Sequence, residues 1–95
     1  PLFAEAHYTL ALIHQENGHM DEAITELKKT LYLDPDFTLA NFSLSNLCQR
    51  AGRQDEATRH RAYAIRLAAG LAPEEVVPGS YGLITAARLL AMMRP

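Results

Sequence analysis

The chain has 95 residues, enough for one domain or a short stack of repeats, and 48% of them are apolar against 21% charged, which excludes a disordered polymer. Its net charge of −2, from 9 basic and 11 acidic side chains, excludes a general nucleic-acid binder. No apolar run approaches the roughly 18 residues of a membrane span, the opening Pro1-Leu2-Phe3-Ala4-Glu5 does not read as a secretory signal, and the lone Cys48 excludes an internal disulfide and a cysteine-based zinc cage; no membrane insertion and a cytoplasmic location are expected.

Charge is unevenly divided. Residues 1–36 carry seven acidic side chains against Lys28 and Lys29, a net of −5, whereas residues 37–95 carry seven arginines against four acids, a net of +3. Such polarity either orients a partner or a second copy at close range, or marks two solvated faces of opposite sign.

Sliding the chain against itself by 34 residues gives ten identities without a gap, where about two would arise if ~5–10% of unrelated positions match. Pro1 falls on Pro35, Phe3 on Phe37, Ala6 on Ala40, Leu10 on Leu44, Gln15 on Gln49, Gly18 on Gly52 and Leu33 on Leu67, and Asp21-Glu22-Ala23 falls on Asp55-Glu56-Ala57. A repeat of this length must be one supersecondary unit used twice. In chain order, the spacing of Ala6, Leu10, Ile13 and His14 predicts a first helix, with Leu10 in its core. Gly18 stops it, and Ala23, Ile24, Leu27 and Leu31 predict a second, opened by Asp21-Glu22 where negative charge suits the helix dipole. Pro35 ends that helix and Asp36 is positioned to cap the next. Ala40, Leu44, Leu47 and Cys48 predict the third helix, Gly52 its end, and Ala57, Ala64, Ile65, Leu67 and Ala68 the fourth. The four-residue break at Asn17–Met20 permits only an antiparallel hairpin, and no segment alternates with the period of a strand.

A 34-residue helix–turn–helix repeat resembles the tetratricopeptide family, whose pattern is met at His7, Leu10, Ala11, His14, Ala23, Leu27 and Pro35; in the second copy the same places hold Asn41, Leu44, Ser45, Cys48, Ala57, Arg61 and Ala69. Ala11, Ala23, Ser45 and Ala57 are small because the helices of a hairpin cross there; a bulkier residue would cost about 1–3 kcal/mol. Arg61 replaces the usual aromatic residue, with Tyr63 near enough to supply a ring, and Ala69 replaces the usual proline. Because Pro1-Leu2-Phe3 matches Pro35-Asp36-Phe37, the sequence is expected to be a fragment that starts at the end of a preceding unit.

From Gly70 the repeat is lost. Residues 1–70 are expected to form two hairpins, residues 71–79, with two prolines, an extended connection, and residues 80–95 an amphipathic helix capped by Ser80, with a stripe of Leu83, Ile84, Ala87, Leu90, Ala91 and Met93. That helix either closes the open end of the second hairpin or docks on another domain or copy. The expected fold is all-α, a tetratricopeptide-like solenoid of antiparallel hairpins with a C-terminal capping helix. The phrases Leu31-Tyr32-Leu33-Asp34-Pro35-Asp36-Phe37, Val77-Pro78-Gly79-Ser80 and Gly82-Leu83-Ile84-Thr85-Ala86 with Arg88-Leu89-Leu90 resemble the repeat-bearing C-terminal extension of bacterial chemotaxis receptor methyltransferases of the CheR type. Tyr81 stands where such relatives carry an acidic residue. The resemblance implies a parent protein with an S-adenosylmethionine-dependent catalytic domain that methylates receptor glutamates and is absent here.

The chain itself shows no catalytic motif, and neither a cofactor nor a metal is expected. His7 and His14 sit two turns apart, too far to share an ion; His14 is expected inside the hairpin, His7 at its rim, His19 and His60 in solvent, and Cys48 as a buried hydrophobe. The remaining chemistry is that of a surface. In helical stacks the first helix of each hairpin lines a concave groove, and the family resemblance makes Tyr8, Leu12, Leu39, Phe42, Asn46, Gln49 and Arg50 the candidate peptide-binding residues. The alternative is that Tyr8, Leu12 and Phe42 only pack against neighbouring helices. The expected function is a non-catalytic protein-interaction module, the regulatory or targeting part of a chemotaxis-type methyltransferase, whose partner is the methyltransferase domain or a chemoreceptor segment. The alternative is a structural adaptor or self-associating scaffold, a homodimer included.

Overall fold

Gly18 and Gly52 set where the chain reverses. Both take left-handed backbone angles, φ +77° and +79°, which a residue without Cβ adopts at little cost. Each is followed by the same closing bond: His19 N donates to His14 O and Arg53 N to Cys48 O, both at 2.8 Å. This six-residue closure satisfies carbonyls at the end of a helix. The structure, a computed structural model, describes residues 2–94, the side chain of Leu2 excepted; Pro1 and Pro95, at the ends of the expected segments, lie outside the described residues. Four helices follow from the repeat: α1 (Leu2–Glu16), α2 (Met20–Leu33), α3 (Thr38–Arg50) and α4 (Gln54–Ala69). A fifth, α5 (Ala86–Met93), ends the chain. Among the described residues there is no strand, only an isolated antiparallel bridge between Val76 and Thr85.

α1 packs on α2 and α3 on α4, and the two hairpins meet through α2 and α3, which makes the fold a tetratricopeptide-like helical solenoid. The small residues mark the crossings: Ala11, Ala23, Ser45 and Ala57 are all buried. The largest fully enclosed side chains include Leu27, Leu44 and Leu89. Burial of such groups, at roughly 25 cal/mol per Å² of apolar surface, is what holds helices too short to be stable alone.

The two copies of the repeat do not bury the same face. Phe37, just before α3, and Ala40, Leu44 and Leu47 of α3 all lie in the core, with the Phe37 ring 4.9 Å from that of Tyr8. Their counterparts in α1 are open: Leu10 is 40% and Ile13 50% exposed, and Ala6 is exposed too. The expectation that Leu10 is a core residue is therefore corrected. Periodicity identifies an apolar face; whether it is buried depends on a neighbour, and among the described residues a hairpin covers this face of α3 but not that of α1.

Other expectations also change. The residue before α3 is Phe37, with no side-chain cap; Asp36 instead accepts a hydrogen bond from the Tyr63 hydroxyl. The tail helix starts six residues later than the sequence suggests. Ser80 is buried in a turn where its hydroxyl donates to Val77 O at 2.7 Å, and Val77 N donates to Ile84 O at 2.8 Å. Thr85 caps α5, accepting from Arg88 N at 3.2 Å. Gly79 takes φ +88°, and a Cβ there would stand 3.0 Å from Phe37 Cε1. The buried face of the tail comprises Val77, Ala86, Leu89 and Met93, packed against α4 and the core; Leu83, Ala87 and Ala91 of the expected stripe face solvent.

Candidate peptide-binding face

The first helices of the two hairpins, α1 and α3, contribute the residues that sequence reasoning assigns to a groove. Their fates differ. Tyr8 is buried against Phe37, and burial pushes its phenol above the ordinary value, with a Ser43 hydrogen bond opposing the shift. Leu39 is buried beneath the tail turn, its Cδ1 3.9 Å from the position a Gly79 Cβ would take. Both are used in packing and are closed to a ligand. Phe42 is half-buried against the core, whereas Leu12, Gln49 and Arg50 are exposed and Asn46 is half-buried.

The structure brings Asn46, Gln49 and Arg50 together with Gln15 and Leu47 around one hollow across α1 and α3. Gln15, which is not among the groove candidates read from the sequence, has its side-chain carbonyl oxygen buried with no hydrogen-bond partner. An unmet buried acceptor costs about 1–3 kcal/mol, so a turn of the Gln15 side chain that brings this oxygen to a donor in the hollow is favoured. Carboxamides offer a donor and an acceptor each, and a guanidinium five donors, the groups that a peptide main chain and its carbonyls need. Leu12 lines the neighbouring hollow with Thr9, Ile13, Glu16 and Asn17. At the opposite end of the first helices, Glu5, Asp34 and Asp36 share a hollow with Phe37, Thr38, Pro78 and Gly79. The face thus mixes polar and apolar groups, with acids at the tail-covered end and Arg50 at the other.

Behind this face each hairpin carries the same polar clasp, with its chemistry inverted. His7 Nδ1–H of α1 donates to the Glu26 carboxylate of α2 at 2.7 Å. Thirty-four residues later, Asn41 of α3 and His60 of α4 are 3.0 Å apart. Asn41 Nδ2 donates to the carbonyls of Pro35 and Phe37, so its Oδ1 must accept from His60 Nδ1–H, which fixes that tautomer. Burial, with Arg59 adding to it, pushes the His60 pKa down and keeps the ring neutral. His60 is therefore half-buried and bonded, not solvated as expected. The sequence did carry a signal for the clasp: both pairs are spaced by 19 residues and offset by the repeat length.

The His7 hydrogen bond, with help from Lys29 at 3.3 Å, holds the Glu26 carboxyl below the usual carboxylate range. A lowered folded-state pKa contributes stability that is fully present above about pH 4.3 and is lost as pH falls through the folded value. The melting temperature is expected to fall more steeply between about pH 5 and pH 3 in the wild type than in Glu26→Gln, which keeps an acceptor but has no charge to lose. Equal slopes in a pH series of thermal melts would remove the clasp as a charged contact.

Cys48 is fully buried, and burial raises its thiol pKa, as befits a small hydrophobe. His14 is half-buried, with Nδ1 unpartnered. Among the described residues, no three histidine, cysteine or acidic side chains converge as a metal cage requires, and no helix is long and apolar enough to cross a membrane.

Residues 4–37 match the tetratricopeptide repeat family. That span covers α1, α2 and the turn into α3, the unit whose copy the chain repeats. No curated protein and no solved structure matches the chain. Tetratricopeptide repeats generally mediate protein–protein interaction, and domains built from them bind protein partners.

Proposed function

We propose that the chain is a protein-interaction module whose α1–α3 face holds an extended segment of a partner polypeptide. The observation that carries this reading is the hollow of Gln15, Asn46, Gln49 and Arg50, in which a buried carbonyl lacks a donor. A peptide N–H meets that acceptor, Arg50 takes a carbonyl or carboxylate, and Leu12 receives an apolar side chain. The acids Glu5, Asp34 and Asp36 at the tail-covered end orient the ligand with its more basic end there.

A finer reading makes the module the regulatory or targeting part of a chemotaxis-type protein methyltransferase. It is supported by the residues 31–37 and 77–90 quoted above, and its partner is then the methyltransferase domain or a chemoreceptor segment. Reading the coding sequence upstream tests it: a domain with a cofactor-binding glycine loop is expected, and an unrelated domain would end the methyltransferase reading while leaving the module.

Variants separate binding from folding. Leu12→Ala and Arg50→Ala are expected to weaken a bound peptide by about 1–2 kcal/mol each, roughly five- to thirty-fold in Kd, with thermal melts close to wild type. Peptide affinity unchanged in both, measured by calorimetry, would place the binding surface elsewhere.

A further inference from the structure

Each hairpin carries a hollow beside its clasp. In the first hairpin it is lined by His7 of α1 and by Thr25, Lys28, Lys29 and Tyr32 of α2. In the second it is lined by the residues 34 positions later, Asn41 of α3 and Arg59, Ala62, Tyr63 and Arg66 of α4. The positions agree, but the fate of the charge does not. Lys28 is paired with Glu56 and Lys29 with Glu26, both at 3.3 Å, so the lysines of the first hollow are satisfied within the chain. Arg59 and Arg66 are exposed, and among the described residues neither forms a salt bridge. Where the first hollow has Lys28, the second has the small Ala62, and its lining extends to the apolar Leu31 of α2 and Pro35 of the turn into α3. Its volume is about 440 Å³, within the range of ligand sites. The Tyr63 ring is held by its hydroxyl bond to Asp36, which itself does not line the hollow, and the Arg66 guanidinium stands 5.9 Å from the ring centroid.

We infer that this second hollow is a docking site for an acidic segment of a partner protein, with Arg59 and Arg66 each taking a carboxylate and Leu31, Pro35 and Tyr63 receiving an apolar side chain between them. Charge selects the occupant: two arginines without an internal partner accompany apolar surface, and a guanidinium pairs with a carboxylate through two parallel hydrogen bonds. Spacing then restricts its sequence. Arg59 and Arg66 lie two turns apart on one face of α4, about 10 Å at a rise of 1.5 Å per residue. An extended peptide rising about 3.3 Å per residue covers that distance in three residues, so the segment has two acids with two residues between them, one of which is apolar. His60 adds a further polar contact. Its Nδ1 is committed to Asn41, so Nε2 is the ring atom left to accept from a peptide N–H. The site shares no residue with the hollow of Gln15, Asn46, Gln49 and Arg50 and does not rest on what that hollow binds.

The test titrates the isotope-labelled whole chain with the end-capped peptide Ala-Glu-Leu-Ala-Glu-Ala and follows amide and arginine side-chain shifts. Saturable shifts at Arg59, Tyr63 and Arg66 are expected, with the side-chain amides of Gln15, Asn46 and Gln49 unmoved. Arg59→Gln combined with Arg66→Gln is expected to raise Kd at least tenfold and to leave the thermal melt unchanged, since both side chains are exposed. The same peptide with glutamine in place of both glutamates is expected to bind at least tenfold more weakly. Undiminished affinity in the double variant, equal binding of the glutamine peptide, or no saturable shift at millimolar peptide would each overturn the inference. So would displacement of the peptide by an equal concentration of inorganic phosphate, which marks a simple anion site. A dimer in sedimentation that the double variant dissociates would also overturn it, since a second copy would then be the occupant.

Discussion

Leu44→Ala is expected to lower the unfolding free energy by about 2–5 kcal/mol, whereas Leu10→Ala, the same change one repeat earlier, is expected to cost about 1 kcal/mol or less. The two leucines occupy equivalent places in equivalent helices. Leu44 has no exposed surface and is enclosed by the first hairpin and α4, so its removal loses transfer energy and leaves a cavity. Leu10 retains two-fifths of its surface in water, and the space left by truncation is filled by solvent. Urea unfolding of the two variants measures the difference directly. Equal losses would mean that the α1 stripe is covered in solution, contrary to the structure.

Leu89→Ala is expected to be of similar size, about 2–5 kcal/mol, because Leu89 is fully buried where α5 meets the second hairpin. α5 packs on α4 and covers the end of the second hairpin, and solenoids need such ends closed. The turn that delivers α5 has its own requirement. Gly79→Ala meets both a left-handed backbone angle and the Phe37 ring at 3.0 Å, and is expected to cost more than about 1 kcal/mol. If Leu89→Ala unfolds like the wild type in urea, the tail is not a structural part of the domain. If instead it loosens α5 alone, amide exchange will show α5 opening while α1–α4 remain protected.

Much of this architecture was legible in the sequence because it is written twice. The 34-residue offset, with Gly18 on Gly52 and Asp21-Glu22-Ala23 on Asp55-Glu56-Ala57, locates the turns and helices without any knowledge of the packing. The crossing points at Ala11, Ala23, Ser45 and Ala57 were legible for the same reason, since residue size at a crossing is a local constraint. What was not legible depends on neighbours that periodicity does not name. Leu10 and Leu44 read alike and are buried differently. Ser80 looks like a helix cap, yet its hydroxyl is taken up by the Val77 carbonyl, and Thr85, which has no such claim on it, caps α5. Asp36 looks like a cap as well but sits within reach of the Tyr63 hydroxyl.

The candidate site shows the same division. The family resemblance assigns Tyr8, Leu12, Leu39, Phe42, Asn46, Gln49 and Arg50 to the groove-lining side of the first helices, but it cannot say that Phe37 and the tail turn close over Tyr8 and Leu39. What remains open is more polar than the sequence suggested. Gln15 emerges as its centre because its carbonyl is buried without a partner, a property of the packed helices and not of the residue type.

Isotope-labelled chain titrated with peptides selected on it from a random library, and read by amide and side-chain chemical shifts, tests most directly whether the α1–α3 face holds a polypeptide. Saturable shifts centred on the side-chain amides of Gln15, Asn46 and Gln49, with Leu12 and Arg50 following, are the expected result. Saturable binding whose shifts are confined to the outer surface of α2 and α4, with those amides unmoved, would contradict it.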